Sequence, residues 1–311
     1  MKNMVNLFAN LASEKEGFAF GEAWRLSDKH VGALVPILRD RTFPRDYIIF
    51  EELKTNDYVI EDTGKIDEVL FKNLSSIAVF IRAGTLFKGI STQTRSAESS
   101  VVVDANSKLI IKARCVHESH PISGGAAFVA GGYAPSSVTA SLCSMGGQSA
   151  VWNKVRSFTS SSGSTAHDYQ ANYAKDDLYS HIQHQKASND VKDFIKEMPL
   201  SKNQIGVVIL DETGVYAVEF FDHPLSWKEF RENVALTYSE IVNKKTDGKI
   251  FDVVFRQDMI QPLIRSFLLG LETGTANKAN DNTTMISSKT VSGEFTEYYN
   301  RVVHVLGFRR E

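Results

Sequence analysis

The chain has 311 residues, 42% of them hydrophobic and 23% charged, enough for one large domain or two ordinary ones around a substantial core. Lys and Arg total 35 against 37 Asp and Glu, a balance that argues against general nucleic-acid binding. No run approaches the ~20 apolar residues that span a bilayer, the N-terminus lacks a sustained apolar stretch with a cleavage site, and two cysteines, Cys115 and Cys143, suit a reducing cytoplasm rather than a disulfide scaffold.

In chain order, the first half reads as strand-rich. Residues 31–38 (VGALVPIL) form a strand, with Pro36 expected near its end or on an edge because proline donates no ladder hydrogen bond. Residues 77–87 (IAVFIRAGTLF) hold another, followed by a turn or bulge at Gly84. The stretch GISTQTRSAESSVVVDANSKLIIKARCVH, from Gly89 to His117, reads as a β-hairpin. Its two runs, 99–103 and 109–116, are joined by Asp104-Ala-Asn-Ser-Lys108, whose side chains favour turns. On the second run Ile111, Ala113, Cys115 and His117 share the face expected to be buried, with His117 at its rim.

Residues 123–148 are rich in Gly, Ser and Ala, with Gly-Gly pairs at 124–125, 131–132 and 146–147, and mark a seam between halves. Residues 157–164 (SFTSSSGS) form a second loose polar segment. Helices follow: one begins over 151–158, and 173–198 reads as a long polar helix ended by Pro199. Residues 205–210 and 215–221 flank Asp211-Glu-Thr-Gly214 as a hairpin. Ser226-Trp-Lys-Glu229 has the form of a capping box, and Trp227, Phe230, Val234, Tyr238 and Ile241 then recur at helical spacing. Another helix covers 259–271, and strands near 284–291 and 299–306 close the chain.

Several polar constellations invite chemistry. Asp177, His181 and His184 share one helical face and could present a carboxylate and two imidazoles to a metal, but their neighbours are hydrophilic and a solvated face explains them as well. His117-Glu118-Ser119-His120 offers a second metal candidate, without a third ligand at a recognisable distance. Cys115 and His117 could pair as thiol and imidazole, although a buried thiol is the plainer reading. The glycine pairs could let backbone approach a phosphate, yet they match neither nucleotide-loop pattern and also read as plain turns. Gln93 and Arg95, two residues apart on an extended chain, point to one side. Arg95 could hold a carboxylate or phosphate bidentately and Gln93 could read an amide or hydroxyl. Their plain reading is a surface strand with polar residues outward.

Leu86-Phe-Lys-Gly89, Gln93-Thr-Arg95 and the run SSVVVDANSKLIIKARCV resemble the family named for its association with ADP-ribosylglycohydrolase and rhodanese-phosphatase proteins. Tyr133-Ala-Pro-Ser-Ser137, Gln148-Ser-Ala-Val-Trp152, Ile205-Gly-Val-Val, Glu219-Phe-Phe-Asp-His-Pro224 and Arg301-Val-Val-His304-Val-Leu-Gly-Phe308 follow in the family's order. The Gly-to-Gln spacing is one residue longer than the family's, Asp-Ala-Asn-Ser replaces its usual turn, and His117-Glu-Ser-His120-Pro replaces residues it often carries after the cysteine. The resemblance implies an association with ADP-ribose and NAD metabolism, and it raises Gln93, Arg95, Gln148 and His304 as ligand-binding candidates.

The expected architecture is α+β. A sandwich- or barrel-like β-rich half spans 1–150 and a half of hairpins packed on helices spans 151–311. The C-terminal strands are expected to return to the first sheet, with the two halves joined as one continuous body as the alternative. Three function classes stay open: a cytoplasmic binding protein for ADP-ribose or a related anionic nucleotide, a hydrolase of such a compound with His304 or Glu118 as its acid/base, and a non-catalytic protein that self-assembles or binds other proteins. No cofactor is specified. Arg95→Lys is expected to weaken an anionic ligand with little effect on folding. A marked loss of stability would instead identify Arg95 as a buried ion-pair member.

Overall fold

A computed structural model of the chain describes residues 2–25, 27, 30–117, 122–144, 146–161, 178–186, 189–245 and 257–310. In chain order the elements are α1 (Lys2–Ala12), β1 (Phe18–Phe20), β2 (Ala33–Arg39), β3 (Tyr47–Ile49), β4 (Tyr58–Asp62), β5 (Glu68–Asn73), β6 (Ala78–Ile81), β7 (Thr85–Gly89), β8 (Arg95–Ala97), β9 (Val101–Val103), β10 (Lys108–Cys115), β11 (Ala127–Tyr133), α2 (Ser136–Cys143), α3 (Gly147–Ser161), α4 (Leu178–Lys186) and α5 (Asn189–Glu197). Then come β12 (Gln204–Asp211), β13 (Gly214–Phe221), α6 (Pro224–Phe230), α7 (Val234–Thr237), α8 (Ser239–Val242), α9 (Gln257–Glu272), β14 (Thr275–Lys278), β15 (Thr283–Ser287), β16 (Val291–Tyr298) and β17 (Arg301–Arg309). The architecture is α+β with a β-rich N-terminal half, as expected. Residues 1–45 with 190–311 make one compact unit, and residues 46–189 make the other. The glycine-rich seam lies inside the second. No helix among the described residues is long and apolar enough to cross a membrane.

In the first unit an eight-stranded sheet runs β1-β2-β12-β13-β17-β16-β15-β14. The C-terminal strands therefore do return to the sheet begun near the N-terminus, with β13 paired to β17 (Phe221↔His304, Glu219↔Leu306). Alternation gives the sheet two faces. One carries Val35, Ile37, Val208, Val218, Val305 and Phe295 into a core closed by Phe8 and Leu11 of α1 and by Ile260, Ile264, Leu268 and Leu271 of α9. Gly293 and Gly307 are cross-strand partners. A Cβ on Gly307 would stand 3.0 Å from the Leu271 side chain, so the bare Gly307 lets α9 lie close to the sheet, while a Cβ on Gly293 would meet the backbone of β17. The opposite face is polar for a buried surface: Glu219, Glu294, Thr296 and His304 are all 0% exposed.

The second unit is a closed barrel in the order β10-β5-β4-β11-β7-β8, accompanied by a three-stranded sheet β3-β6-β9. Ile60, Val69, Phe71, Phe87, Ala97, Ile111, Ala113 and Phe128 fill the barrel. Outside it, Leu86 and Val116 meet Val138 and Leu142 of α2, Val151, Val155 and Phe158 of α3, and Leu178 and Ile182 of α4.

Several expectations need correction. The runs 99–103 and 109–116 do not pair with each other. β9 pairs with β6, and β10 pairs with β5 and β8. Val101, Val102 and Val103 are all buried, and three successive side chains cannot all face one barrel interior, so β9 takes a position covered on both faces. Pro36 lies within β2 rather than at its end or on an edge. Its carbonyl accepts from Gly21 at 2.9 Å, just beyond β1, so its missing donor falls where the flanking ladder has ended. The polar run 157–164 begins inside α3, and its last three residues lie outside the described set. The expected long helix over 173–198 is two helices, α4 and α5, with 173–177 and 187–188 outside the described residues.

The helix placed at Ser226 begins earlier. His223 caps α6, its Nδ1 accepting the Leu225 N–H at 3.1 Å with Pro224 at the first position, while Ser226 is buried inside the helix and accepts from Arg45 Nε at 3.0 Å. The hairpin 205–221 is as expected: Asp211 faces Gly214, whose φ is +126°.

Candidate functional site

Arg95 opens β8, and its register with Phe87 and Cys115 turns it into the barrel. It is 0% exposed. Its Nη2 donates to both oxygens of Asp62, at 2.9 and 2.8 Å, and its Nη1 donates to the Glu68 carbonyl. The guanidinium also lies 5.4 Å from the Phe128 ring centroid. Asp62 accepts further from the Gly64 N–H at 2.8 Å and from Thr92 Oγ1 at 2.5 Å. Arg95 thus has its counter-ion within the protein. The outward-facing surface strand considered for it is not what forms, and neither is an exposed arginine.

The groups beside it are less satisfied. Gln93 is 7% exposed, and its Oε1 has no hydrogen-bond partner among the described residues. Arg95 Nε is equally without one. The ladder between β8 and β10 continues to Thr94, whose carbonyl accepts from Val116 N–H at 3.0 Å, so the chain is extended here. Alternation then sets Gln93 and Arg95 on one side and Thr94 and Ser96 on the other. Thr94 Oγ1 and Ser96 Oγ are also buried without partners among the described residues, and Ser96 is in register with Leu86.

Gln148, near the start of α3, bonds to the backbone of β10. Its Oε1 accepts the Cys115 N–H at 3.1 Å and its Nε2 donates to the Cys115 carbonyl at 2.7 Å. β5 pairs with β10 only as far as Lys112, so Gln148 supplies the two bonds that a neighbouring strand would have made. The Cys115 thiol is fully buried and contacts the His117 backbone, with Sγ 3.3 Å from its carbonyl oxygen and 3.4 Å from its nitrogen. His117 is 5% exposed, deeper than a rim position.

His304 belongs to the other compact unit from Arg95. Its Nε2 lies 3.1 Å from Glu219 Oε1, and Glu219 Oε2 accepts from the phenolic Oη of Tyr238 at 2.7 Å. All three side chains are buried, and the Phe221 ring stands 4.7 Å from the imidazole. This chain of carboxylate, imidazole and phenol ties the polar face of the sheet to the α7–α8 turn. His181 and His184 lie on α4, with Asp177 outside the described residues, as are Glu118 and His120. Among the described residues no group of three His, Cys, Asp or Glu side chains converges as a metal site. Sequence reasoning missed Asp62, Glu219 and Tyr238. Only strand pairing and helix packing bring them to their partners, and no local spacing signals it.

The glycine pairs mostly shape backbone: Gly125, in a turn, and Gly147, the first residue of α3, have φ of +77° and +73°, and Gly131-Gly132 forms a bulge in β11. No curated protein and no solved structure matches the chain. The family model of the ARG and Rhodanese-Phosphatase-superfamily-associated Protein domain matches residues 27–308, and the chain belongs to that family.

Proposed function

We propose that the protein is a cytoplasmic binding module for a nucleotide of the ADP-ribose class, with Gln93 reading a neutral polar group of that ligand. One observation carries this reading: Gln93 Oε1 and Arg95 Nε are an acceptor and a donor two residues apart where the chain enters β8, both buried and both without a partner among the described residues. A buried polar group left unpaired costs about 1–3 kcal/mol, and a ribose hydroxyl or an amide would satisfy both atoms. The Arg95–Asp62 pair is neutral as a whole, so it favours an uncharged part of the ligand over a phosphate. The family's name supports the ADP-ribose class by association. Two buried free thiols suit a reducing compartment.

Calorimetric titration of ADP-ribose into wild type and Gln93→Met, with melting curves alongside, tests the proposal. The variant keeps the shape of the side chain and removes the acceptor. Affinity is expected to fall about tenfold, equivalent to about 1.4 kcal/mol. The melting temperature should not fall, because Gln93 Oε1 gives up no protein partner. Equal affinities, or no binding to wild type at millimolar ADP-ribose, would reject the site. Conversion of the nucleotide during the titration would replace binding by hydrolysis.

A further inference from the structure

We propose that Lys186 and Lys88 form a phosphate-binding subsite over the Gly131-Gly132 bulge of β11. The bulge sets Gly131 and Gly132 against the single residue Leu86, between the pairs Ala130↔Phe87 and Tyr133↔Thr85. Gly132 has φ +85°, and a Cβ built on it would meet only the Lys186 Nζ, at 3.4 Å. The ammonium therefore stands over bare backbone.

Helical spacing explains how it gets there. Leu178, Ile182 and Lys186 fall on one face of α4, and the first two are buried in the cluster containing Leu86. Tyr179, one residue further round, has Lys88 Nζ 5.2 Å from its ring. Lys88 is in register with Val129, just ahead of the bulge.

Lys186 is half-buried and makes no hydrogen bond or ion pair among the described residues. Burial pushes its ammonium below the usual lysine range, and no carboxylate opposes that shift. A partly desolvated cation without a counter-ion is unfavourable until an anion arrives. Glycine at the bulge removes the side chain that would keep a tetrahedral oxyanion from the backbone. The second lysine and the Tyr179 ring add charge and an aromatic surface, as a nucleotide phosphate would use. The site rests on the nucleotide reading for the class of its anion, and it supplies the charge that the neutral Arg95–Asp62 pair does not.

The test uses inorganic pyrophosphate, titrated at low salt into the full chain and into Lys186→Gln and Lys186→Arg. The dissociation constant should rise about tenfold or more in the glutamine variant and change much less in the arginine variant, which keeps the charge. In wild type, pyrophosphate should protect Lys186 from an amine-acylating reagent, read by mass spectrometry. No pyrophosphate binding at millimolar concentration, or equal binding by Lys186→Gln, overturns the subsite. If ADP-ribose binding is lost in Gln93→Met but unchanged in Lys186→Gln, the subsite falls and the nucleotide reading stands. If pyrophosphate binds through Lys186 while ADP-ribose does not bind at all, the nucleotide reading falls and the anion site stands.

Discussion

Arg95 and Asp62 neutralise each other inside the barrel, with both side chains 0% exposed. Such a pair is asymmetric in its energetics. Removing one partner strands a buried charge, whereas replacing both with apolar groups can be nearly neutral. Arg95→Ala should therefore lower stability by about 3–5 kcal/mol in urea unfolding. The double variant Asp62→Leu with Arg95→Met should recover most of that loss. Arg95→Lys, which keeps the charge but not the reach to both Asp62 and the Glu68 carbonyl, should fall between them. A loss below about 1 kcal/mol in Arg95→Ala would show that the barrel end tolerates an unpaired Asp62, contrary to this account. The measurement also separates roles that one residue could confuse: the ion pair is a matter of folding, while the adjacent Gln93 oxygen is the better probe of a ligand.

Elements were legible where local chemistry and burial agreed. The β12–β13 hairpin was readable because alternation and the Asp-Glu-Thr-Gly turn pointed the same way, and the burial of Cys115 followed from the period of β10. The pairing of β8 with β10 was not readable, since β8 is three residues long and its partner is chosen by barrel closure. The Arg95 environment was hidden for the same reason: Asp62 is brought to it from a distant strand. The start of α6 was misplaced because Ser226 and Glu229 imitate a capping box, whereas Pro224 favours a first helical position and makes His223 the cap. That cap carries a pH signature. Burial lowers the His223 pKa from 6.5, with Arg45 and Arg301 adding to the shift, so the folded state prefers the neutral ring whose Nδ1 accepts the Leu225 N–H. The sign follows: this contribution is complete above pH 6.5 and is lost as pH falls through the lower folded-state value. His223→Asn retains a capping side chain that does not titrate. Wild type should lose stability relative to this variant on acidification below pH 6.5, whereas parallel curves would remove His223 from the pH response.

At the scale of the whole molecule, the first unit's sheet is assembled from segments far apart in sequence. β2, from the N-terminal segment, and β17, from the C-terminal one, flank the β12–β13 hairpin on its two sides. Arg309 strengthens the join, with Nη1 and Nη2 donating to Asp211 Oδ1 and Oδ2 at 3.0 and 2.5 Å across the hairpin's turn. Burial alone would raise the Asp211 pKa, but the hydrogen bonds from Arg309 and Thr213 outweigh it and bring it below its usual value. Deleting residues 292–311 removes β17 and nearly all of β16 from the middle of the strand order, leaving β13 as an open edge and β14–β15 cut off from it. An edge so long and apolar has nothing to pair with and invites association. The truncated chain should lose hydrogen-exchange protection over 204–221 and lose cooperative unfolding of this unit. Because a truncation can fail for trivial reasons, Leu306→Ala provides the graded version: Leu306 is 0% exposed on β17 between Glu219 and Glu294, and its truncation should cost about 2–5 kcal/mol. An unchanged midpoint and retained protection in the truncated chain, or a loss under about 1 kcal/mol in the point variant, would make the C-terminal strands peripheral to the sheet.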